Sequence, residues 1–409
     1  MIIRQIKHAA LGMAAIALAG CATVPAAPDS PVAVCPAPLP CPSCPACPGT
    51  ATPVPGTVPL QPVRFEDIPE WHADDASAAW PAFRASCNAL RLRSEWREVC
   101  TAAAAIAAPD PAATRRFFER HFVPHRAAAA DGGVTGLITG YYEPLLRGSR
   151  VRSGRYATPL YGPPGDLLTI DLAAINPELR SMRLRGRLEG RRIVPYYSRA
   201  EIEQGVAPVS GREIVWVEDP VEAFFLQIQG SGRIELESGE RIRIGYADQN
   251  GHPYSAIGRW LVERGEIKPG EASMQAIKAW AQANPSRLTE LLNQNASYVF
   301  FREIKPNDGL PPDAGPLGAM GIPLTPGRSI AVDPRFIPLG APVFLVTTMP
   351  ASATPLARLM LAQDTGGAIR GVVRADFFWG FGAEAGALAG RMRQQGEMWV
   401  LLPQGMTPK

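Results

Sequence analysis

Hydrophobic and polar positions divide the chain into a helical N-terminal stretch and a longer region of short strands. Apolar residues recur at helical spacing after Trp80-Pro81 and after Asp110-Pro111, where the aspartate can cap a helix and the proline suits its first turn. From Val134 onward, β-like runs broken by Gly and Pro take over, among them EIVWVEDPVEAFFLQIQGSGRIEL. Two further helices are predicted to begin at Ser273 and Ser286. The pattern predicts a mostly β fold with helical additions, organised as a barrel or a sandwich.

The first twenty residues have the layout of an export signal. Basic residues precede an apolar run over residues 9–19, which is too short to cross a bilayer permanently. The run ends in Leu-Ala-Gly-Cys21, which resembles the lipobox of bacterial lipoproteins, whose cysteine is acylated. We expect residues 1–20 to be a signal peptide and Cys21 to be lipidated on the periplasmic side of the outer membrane, which Ala22 favours by the same resemblance. The alternative is an uncleaved signal that ends in cysteine by chance.

Residues 21–63 have the composition of a disordered tether, dense in proline, alanine and valine and almost free of charge. Besides Cys21, four cysteines lie in this segment: Cys35, Cys41, Cys44 and Cys47. The last three have the spacing of an iron–sulfur motif, but a proline follows each cysteine and the fourth-ligand spacing is wrong. Disulfides in an oxidising compartment are therefore favoured over metal binding. Cys87 and Cys100 are likewise expected to pair and to staple the N-terminal helices, with two buried free thiols as the alternative.

Length and charge narrow the classes of function. A chain of 409 residues can bury a sizeable core and suggests two folded units. The net charge of +3, from 41 basic and 38 acidic residues, gives no broad field that would attract nucleic acid. No nucleic-acid partner is expected, and specificity must come from a local site.

Three aspartates stand where predicted strands meet turns. Asp364 and Asp376 lie twelve positions apart in LMLAQDTGGAIRGVVRADFFWGF, and Asp333 lies in SIAVDPRFIPLG. Two carboxylates within a few ångströms cannot both ionise cheaply, so one can stay protonated near neutral pH and act as a general acid. Cleavage of a glycosidic bond needs such an acid. The alternative is that all three are turn-forming aspartates that bind their own backbone.

A second enzymatic interpretation rests on the tripeptide Asp364-Thr365-Gly366, which aspartic proteases also contain. A single-chain aspartic protease needs a second copy of the tripeptide, and this sequence lacks one. A dimeric aspartic protease needs only one copy, but the tethered, multi-strand remainder of the chain would then lack a purpose. An aspartic-protease-like hydrolase therefore ranks below sugar chemistry.

Six motifs along the chain resemble those of the membrane-bound lytic murein transglycosylase A family. They are TGYYEP, FLQIQGSG, NASYVFF, AVDPRFIPLG, AQDTGGAIRG and RADFFWGFG, and they span most of residues 135–402. The resemblance implies a double-psi β-barrel domain, built with the N-terminal helices from residues 64–144 and 303–409. It also implies an inserted β-rich domain over residues 145–302, which forms the other wall of a substrate groove. The implied activity is non-hydrolytic cleavage of the β-1,4 bond between N-acetylmuramic acid and N-acetylglucosamine in peptidoglycan, leaving 1,6-anhydro ends.

The family's pattern also implies roles for single residues. Asp376, in RADFF, matches the catalytic acid/base, and Asp364 would orient it or stabilise positive charge. Asp333 is as consistent with a structural role beside Arg335 as with a catalytic one. The residues expected to line the groove and to bind sugar or peptide groups are Thr139, Tyr141, Gln227 and Gln229.

The resemblance also indicates partners. Peptidoglycan glycan strands are the substrate, the lipid anchor reaches the outer membrane, and cell-wall synthesis complexes are further candidate partners. No metal and no cofactor are implied, because the sugar's own C6 hydroxyl can attack while one carboxyl group serves first as acid and then as base. The alternative of a different class is a noncatalytic peptidoglycan-binding lipoprotein, since related barrels can hold polysaccharide without cutting it.

Overall fold

A computed structural model of the protein describes residues 59–182, 184–305, 309–311 and 314–408. Its strands are β1 (Leu60–Pro62), β2 (Phe122–Ala127), β3 (Gly136–Glu143), β4 (Leu145–Ser149), β5 (Thr158–Tyr161), β6 (Leu168–Thr169), β7 (Arg185–Glu189), β8 (Arg192–Pro195), β9 (Glu213–Val217), β10 (Ser231–Leu236), β11 (Arg241–Gln249), β12 (Val299–Ile304), β13 (Ser329–Val332), β14 (Pro342–Thr348), β15 (Pro355–Asp364), β16 (Ala375–Phe381) and β17 (Arg393–Pro403). Its α-helices are α1 (Trp80–Leu90), α2 (Ser94–Ala104), α3 (Pro111–His121), α4 (Arg199–Glu203), α5 (Pro220–Gln229), α6 (Ile257–Glu263), α7 (Met274–Ala283), α8 (Leu288–Leu292) and α9 (Gly382–Ala389). The mostly β prediction is confirmed.

The larger sheet closes on itself. Its strands follow the order β1-β2-β17-β14-β15-β13-β16-β3, and β3 also pairs with β17. The strands from β17 to β3 therefore form a ring of backbone pairings that leaves no free edge among them. Phe344, Leu359 and Phe377 are fully buried in the main hydrophobic core, which this sheet shares with the N-terminal helices.

The helices α1, α2 and α3 join that core through an aromatic cluster. The ring of Phe83 lies 5.9 Å from the ring of Phe117 and 5.1 Å from that of Phe118, which places α1 against α3. A disulfide between Cys87 and Cys100 joins α1 to α2. The helical region is thus fixed to the sheet by packing and to itself by a covalent bond.

Two of the predicted helix starts are confirmed. Asp110 caps α3 and Ser273 caps α7, each by accepting a hydrogen bond from the backbone N–H three residues on, at 2.6 and 3.2 Å. The prediction for Ser286 is wrong, because α8 begins at Leu288 and Ser286 lies in the preceding 3₁₀ turn, Pro285–Arg287. Within that turn no side chain caps the helix.

The segment between β3 and β13 builds a second sheet and a layer of helices. Six strands follow the order β12-β11-β10-β4-β9-β5, and β6, β7 and β8 form a small antiparallel sheet. Leu226 of α5 packs with Ile234 in the core of the six-stranded sheet. Phe224, on another side of α5, packs with Leu261 of α6 and Trp280 of α7. The helix α5 therefore connects this sheet to the helical layer.

A buried ion pair fixes the second sheet where β3 leads into β4. The carboxyl of Glu143 accepts a hydrogen bond from Arg233 Nε at 2.9 Å, and Arg233 Nη2 donates to the carbonyl of Ala314 at 3.3 Å. The same guanidinium lies 4.2 Å from the ring centroid of Phe381, at the end of β16. These contacts hold the ends of β3 and β16 against the second sheet.

The predicted tether, residues 21–63, ends earlier than expected, because β1 (Leu60–Pro62) pairs with β2 and Leu60 is buried in the main core. The residues predicted to reach the membrane lie elsewhere in the chain. The predicted signal peptide, the lipidation site Cys21 and the four cysteines of the tether lie outside the described residues. In the part that the structure describes, no helix has the length and apolarity needed to span a bilayer.

Candidate active site

Asp364 and Asp376 present their side chains to the same face of the larger sheet. Ala331 of β13 pairs with Asp364 of β15 on one side and with Asp376 of β16 on the other. Asp376 in turn pairs with Thr139 of β3. Residues that face each other across paired strands project to the same side of a sheet. The row therefore brings two carboxyls and a hydroxyl to one surface, and the small Ala331 side chain leaves room between the carboxyls.

A β-bulge aims Asp364 at this surface. Ile330 pairs with Ala362, yet the next residue, Ala331, pairs with Asp364, so Gln363 is an extra residue on β15. In a regular strand Ala331 would face Gln363, and the Asp364 side chain would point to the opposite face. The bulge thus brings the two aspartates together.

The buried side chain of Gln363 holds the bulge in place. Its amide nitrogen donates to the Ser86 hydroxyl at 2.9 Å and to the Ala82 carbonyl at 2.8 Å, both on α1. Its amide oxygen accepts from the Ser329 hydroxyl at 2.5 Å. A buried amide that lost these partners would be costly, so the N-terminal helices help to fix the direction of Asp364.

Asp376 keeps one carboxyl oxygen free of protein hydrogen bonds. The Thr139 hydroxyl donates to Asp376 Oδ1 at 2.5 Å, and Arg374 Nη2 donates to the Thr139 oxygen at 2.9 Å. Among the described residues, Oδ2 has no hydrogen-bond partner, and the side chain is only half-buried. Burial raises the pKa of the Asp376 carboxyl, while the Thr139 hydrogen bond and the charge of Arg374 oppose that rise. Asp376 is therefore suited to carry a proton on an accessible oxygen.

Asp364 is surrounded by hydrogen-bond donors. The Tyr141 hydroxyl donates to Oδ2 at 3.0 Å, and the backbone N–H groups of Ala319 and Thr365 each donate to Oδ1 at 2.9 Å. Burial raises the pKa of Asp364 to about 6, partly offset by these three donors, and the charge of Asp376 adds to the rise. Because backbone N–H groups can only donate, Oδ1 must accept, and a pKa of about 6 leaves the Asp364 carboxyl mostly ionised at pH 7.

The separation of the two aspartates bears on the protease alternative. Two strand spacings of about 4.8 Å place their α-carbons roughly 10 Å apart, with β13 between them. The carboxyls of an aspartic protease share one proton at about 3 Å. Asp364 and Asp376 instead each have hydrogen-bond partners of their own, and Ala331 of β13 lies between them in the sheet.

The carboxyl of Asp333 is fully buried and holds the loop that joins Asp364 to Asp376. It accepts from Arg335 Nε at 2.9 Å, from Arg335 Nη2 at 2.5 Å and from the backbone N–H of Gly371 at 2.8 Å. Burial alone would raise the pKa of Asp333, but these bonds outweigh it and hold the pKa below its ordinary value. Since the carboxyl does not reach the open surface, its geometry suits the structural role.

Of the two glutamines predicted to line the groove, Gln229 borders the cavity and Gln227 does not. Residues 220–229 form α5 rather than a strand, so Gln227 and Gln229 do not share a face. Gln227 is 7% exposed, and its amide oxygen accepts from Arg199 inside the second part of the fold, which corrects the expectation that it lines the groove. Gln229 does face the site, and its amide oxygen accepts from the backbone N–H of Tyr142 at 3.1 Å.

The other two predicted groove residues divide in a similar way. Tyr141 is 9% exposed, and its ring packs 5.1 Å from that of Phe378 while its hydroxyl reaches Asp364. Tyr141 therefore positions a carboxyl instead of offering a free surface. Thr139 borders an open cavity and contacts Asp376 directly.

That cavity has a volume of about 590 Å³ and lies between β3, α9 and β17 on one side and α5, α6 and α7 on the other. Thr139 and Gln229 line it, together with the exposed side chains of Tyr254, Arg259 and Arg393. An aromatic ring, amide and hydroxyl groups and cations are the groups that bind sugars and their anionic substituents. The cavity therefore combines these polar groups with a larger apolar lining, and it borders Thr139, which contacts Asp376.

Sequence reasoning missed two residues that organise this site, Gln363 and Arg374. Gln363 is polar inside the apolar run of β15, and Arg374 interrupts the run before β16 two positions from Asp376, the spacing that puts residues on one face of a strand. A polar residue in an otherwise buried strand is the signal that could have found both.

Comparison with known proteins agrees with this architecture. Residues 137–302 match the family model described as the MltA specific insert domain, and residues 328–402 match the 3D domain. Among solved structures, MltA from Neisseria gonorrhoeae is 41% identical with a TM-score of 0.73, covering 86% of this chain and 94% of that one. Escherichia coli MltA with bound chitohexaose is 27% identical with a TM-score of 0.62, covering 85% of this chain and 95% of that one.

These proteins define the class as lytic transglycosylases that act on murein. The protein named membrane-bound lytic murein transglycosylase A of Escherichia coli K12 is 35% identical over 286 residues, which cover 66% of this chain and 67% of the relative. The chain belongs to the membrane-bound lytic murein transglycosylase A family.

Proposed function

We propose that this lytic murein transglycosylase cleaves the β-1,4 bond between N-acetylmuramic acid and N-acetylglucosamine with Asp376 as its single acid/base, leaving 1,6-anhydro ends. The observation that carries the proposal is that Asp376 and Asp364 lie on one sheet face, in the row that Ala331 joins. Among the described residues, Oδ2 of Asp376 has no hydrogen-bond partner, whereas Asp364 is surrounded by donors. The complex of the Escherichia coli relative with chitohexaose supports a glycan as the ligand.

The reaction needs one proton that leaves Asp376 and returns to it. The proton on Oδ2 passes to the glycosidic oxygen, and the bond from that oxygen to C1 of N-acetylmuramic acid breaks. The C6 hydroxyl of the same sugar then attacks C1, and its proton passes to Oδ2. Because the attacking hydroxyl is already held next to C1, its effective concentration replaces an activated water. No water is consumed, and the carboxyl is ready for another cycle.

Asp364 would act in its ionised form, beside the protonated Asp376. Its carboxylate lies on the same face as Asp376 and would stabilise the positive charge that develops at C1. Tyr141 holds the carboxylate through a 3.0 Å hydrogen bond, and the two backbone N–H groups fix its other oxygen. The negative charge on Asp364 also favours retention of the proton on Asp376.

We infer that the catalytic face belongs to a double-psi β-barrel domain, residues 64–144 and 303–409, and the facing wall to an inserted domain, residues 145–302. The ring of strand pairings from β17 to β3 and the two family-model matches support this division. The cavity beside Thr139 lies between the two and would hold the glycan strand.

The same proposal locates the enzyme at the periplasmic side of the outer membrane, anchored by lipid on Cys21. The lipobox-like sequence and the term "membrane-bound" in the names of relatives support this location. The segment before β1, residues 21–59, would give the enzyme reach into the wall and a surface for cell-wall synthesis complexes.

Digestion of purified peptidoglycan, followed by mass analysis of the soluble products, tests the proposal. We expect anhydro-muropeptides, each one water lighter than the hydrolysis product. Asp376→Asn should lower their release by about 10²-fold or more, since it removes the general acid. Asp364→Asn should reduce the rate by a smaller factor. Asp131→Asn, at an exposed turn aspartate, is the matched control and should retain the wild-type rate.

Each other outcome assigns a different function. Full activity of Asp376→Asn overturns the acid/base assignment, and an unchanged rate of Asp364→Asn makes that residue a turn aspartate. Reducing ends indicate a hydrolase, and cleaved peptides a protease. Binding of peptidoglycan without release of fragments indicates a noncatalytic wall protein.

A further inference from the structure

Arg374 lies next to the hydroxyl that contacts the acid/base. Its Nη2 donates to the Thr139 oxygen at 2.9 Å, and its Nη1 donates to the backbone carbonyls of Leu137, at 3.2 Å, and Ala375. We propose that Arg374 is a positioning residue that acts through Thr139 to keep the proton of Asp376 on Oδ2. This inference rests on the function proposed above.

The donors and acceptors around Thr139 fix the direction of its hydroxyl proton. A guanidinium has five N–H donors and no acceptor, and it stays protonated. The proton of Thr139 therefore cannot turn toward Arg374 and is directed to Asp376 Oδ1, 2.5 Å away. Oδ1 is then an acceptor, because a proton on it would confront the hydroxyl proton that Arg374 holds in place. The protonated form of Asp376 carries its proton on Oδ2, the oxygen without a partner among the described residues.

This orientation matters for both steps of the proposed reaction. In the first step Oδ2–H must point at the glycosidic oxygen, and in the second the same oxygen must accept the proton of the C6 hydroxyl. If Thr139 were free to turn, the proton would divide its time between the two oxygens, and a fraction of the enzyme would hold it where no sugar can reach. Arg374 removes that unproductive population.

The charge of Arg374 has a second effect, on the ionisation of Asp376. The groups that face Asp376 are Asp364 at the end of β15, Tyr141 on β3, Arg374 before β16 and Arg393 on β17. Burial raises the pKa of Asp376, and Arg374 opposes that rise. Without this cation the protonated form should persist to higher pH, so the basic limb of the pH–rate profile should move upward.

Kinetics on soluble glycan strands from peptidoglycan, measured as a function of pH, test the inference. For Arg374→Gln we expect kcat to fall roughly tenfold with little change in KM, and the basic limb to move up by about one pH unit. Arg374→Lys keeps the positive charge and should leave the basic limb of the pH–rate profile where it is in the wild type. Thr139→Ser keeps the hydroxyl and should have a higher kcat than Thr139→Val. Thr139→Val should match Arg374→Gln, and the double variant should be no slower than Thr139→Val alone.

A purely structural role predicts a different pattern. If Arg374 only braces strands through the Leu137 and Ala375 carbonyls, Gln and Lys variants should lose stability and kcat equally, with the pH profile unmoved and with effects additive to Thr139→Val. That pattern overturns the inference, as does a wild-type profile in Arg374→Gln. Arg370→Gln, at an exposed arginine four positions earlier, controls for loss of a positive charge nearby and should retain full activity.

The two proposals fail in distinguishable ways. If wild-type enzyme releases no anhydro products, the proposed function fails whatever Arg374 does. If wild-type releases them and Asp376→Asn does not, but Arg374→Gln behaves as wild type, only the positioning role fails. Should Arg374→Gln not fold, the comparison of Thr139→Val with Thr139→Ser decides the matter, since a valine that leaves kcat unchanged contradicts any relay through the hydroxyl.

Discussion

The side-chain amide of Gln363 donates a 2.9 Å hydrogen bond to the hydroxyl of Ser86, so a residue of helix α1 sets the direction of the neighbouring Asp364. Ser86 belongs to the N-terminal helical region, and Gln363 is the bulged residue of β15. The helices before the first strand of the ring are therefore part of the machinery that arranges the catalytic face.

Replacing Gln363 with leucine should damage both stability and catalysis. The substitution removes the acceptor of the buried Ser329 hydroxyl, which keeps only its bond from the Thr325 N–H, and one donor to the Ala82 carbonyl. The free energy of unfolding should fall by about 2–4 kcal/mol. The bulge should also lose its anchor, so kcat should fall while KM changes less. Urea denaturation and glycan-strand kinetics measure the two effects. Gln395→Leu, at an exposed glutamine of β17, is the control and should change neither.

The raised pKa of Asp364 predicts how stability depends on pH. Its carboxyl titrates near 3.8 in the unfolded chain and at about 6 in the folded protein, so the folded state binds the proton more tightly. Stability from this group is therefore fully present below pH 3.8 and is lost as the pH rises through 6. Asp364→Asn removes the dependence. The difference in unfolding free energy, variant minus wild type, should grow by about 2.4 kcal/mol from pH 4 to pH 7.

Urea denaturation of both proteins at pH 4, 5, 6 and 7 gives that difference. The contributions of carboxyls that the substitution leaves unchanged cancel in it. We expect Asp364→Asn to be the more stable protein at pH 7 and the poorer enzyme, because a charge placed for catalysis is costly to bury. A difference that stays constant with pH would mean that Asp364 is not buried as described.

The disulfide between Cys87 and Cys100 should stabilise the fold without taking part in catalysis. It closes a loop of 13 positions, for which the loss of unfolded-chain entropy is worth about 3 kcal/mol. Replacing both cysteines with serine should lower the melting temperature, while kcat at 25 °C stays near wild type because α1 still packs through Phe83. Reductant should lower the melting temperature of the wild type only. An equal response of the serine variant would assign the effect to the tether cysteines.

The placement of the aspartates shows what sequence patterns can predict. Alternating apolar runs locate Asp364 and Asp376 at strand ends, since that signal depends only on neighbours along the chain. The bulge at Gln363 depends on how β15 pairs with β13, and the parallel pairing of Thr139 with Asp376 joins residues 237 positions apart. Such register is set by tertiary packing, which no local pattern encodes.

The structure around Gln227 also differs from the sequence pattern. The groove role of Gln227 is implied by the family resemblance, whereas the run around FLQIQGSG is β-like in the sequence. The structure has a helix from Pro220, capped by Asp219, whose side chain accepts from the N–H of Val221 at 2.7 Å. An Asp-Pro pair predicts the start of α3 correctly, and the same pair at Asp219 was the available signal for α5.

Asp333→Asn should weaken the loop between the two catalytic-face aspartates without changing the chemistry. The charge-assisted bonds from Arg335 and from the N–H of Gly371 should weaken, which we expect to lower the free energy of unfolding by about 2–3 kcal/mol at pH 7. Because the folded pKa lies below the unfolded one, this stability is present above pH 3.8 and is lost as the pH falls through the folded value, so the variant and the wild type should converge in acid. Enzyme kinetics should show a lower kcat with an unshifted pH profile, and Arg335→Gln should reproduce both results. A profile that moves as it does in Arg374→Gln would instead place Asp333 among the groups that set the proton on Asp376.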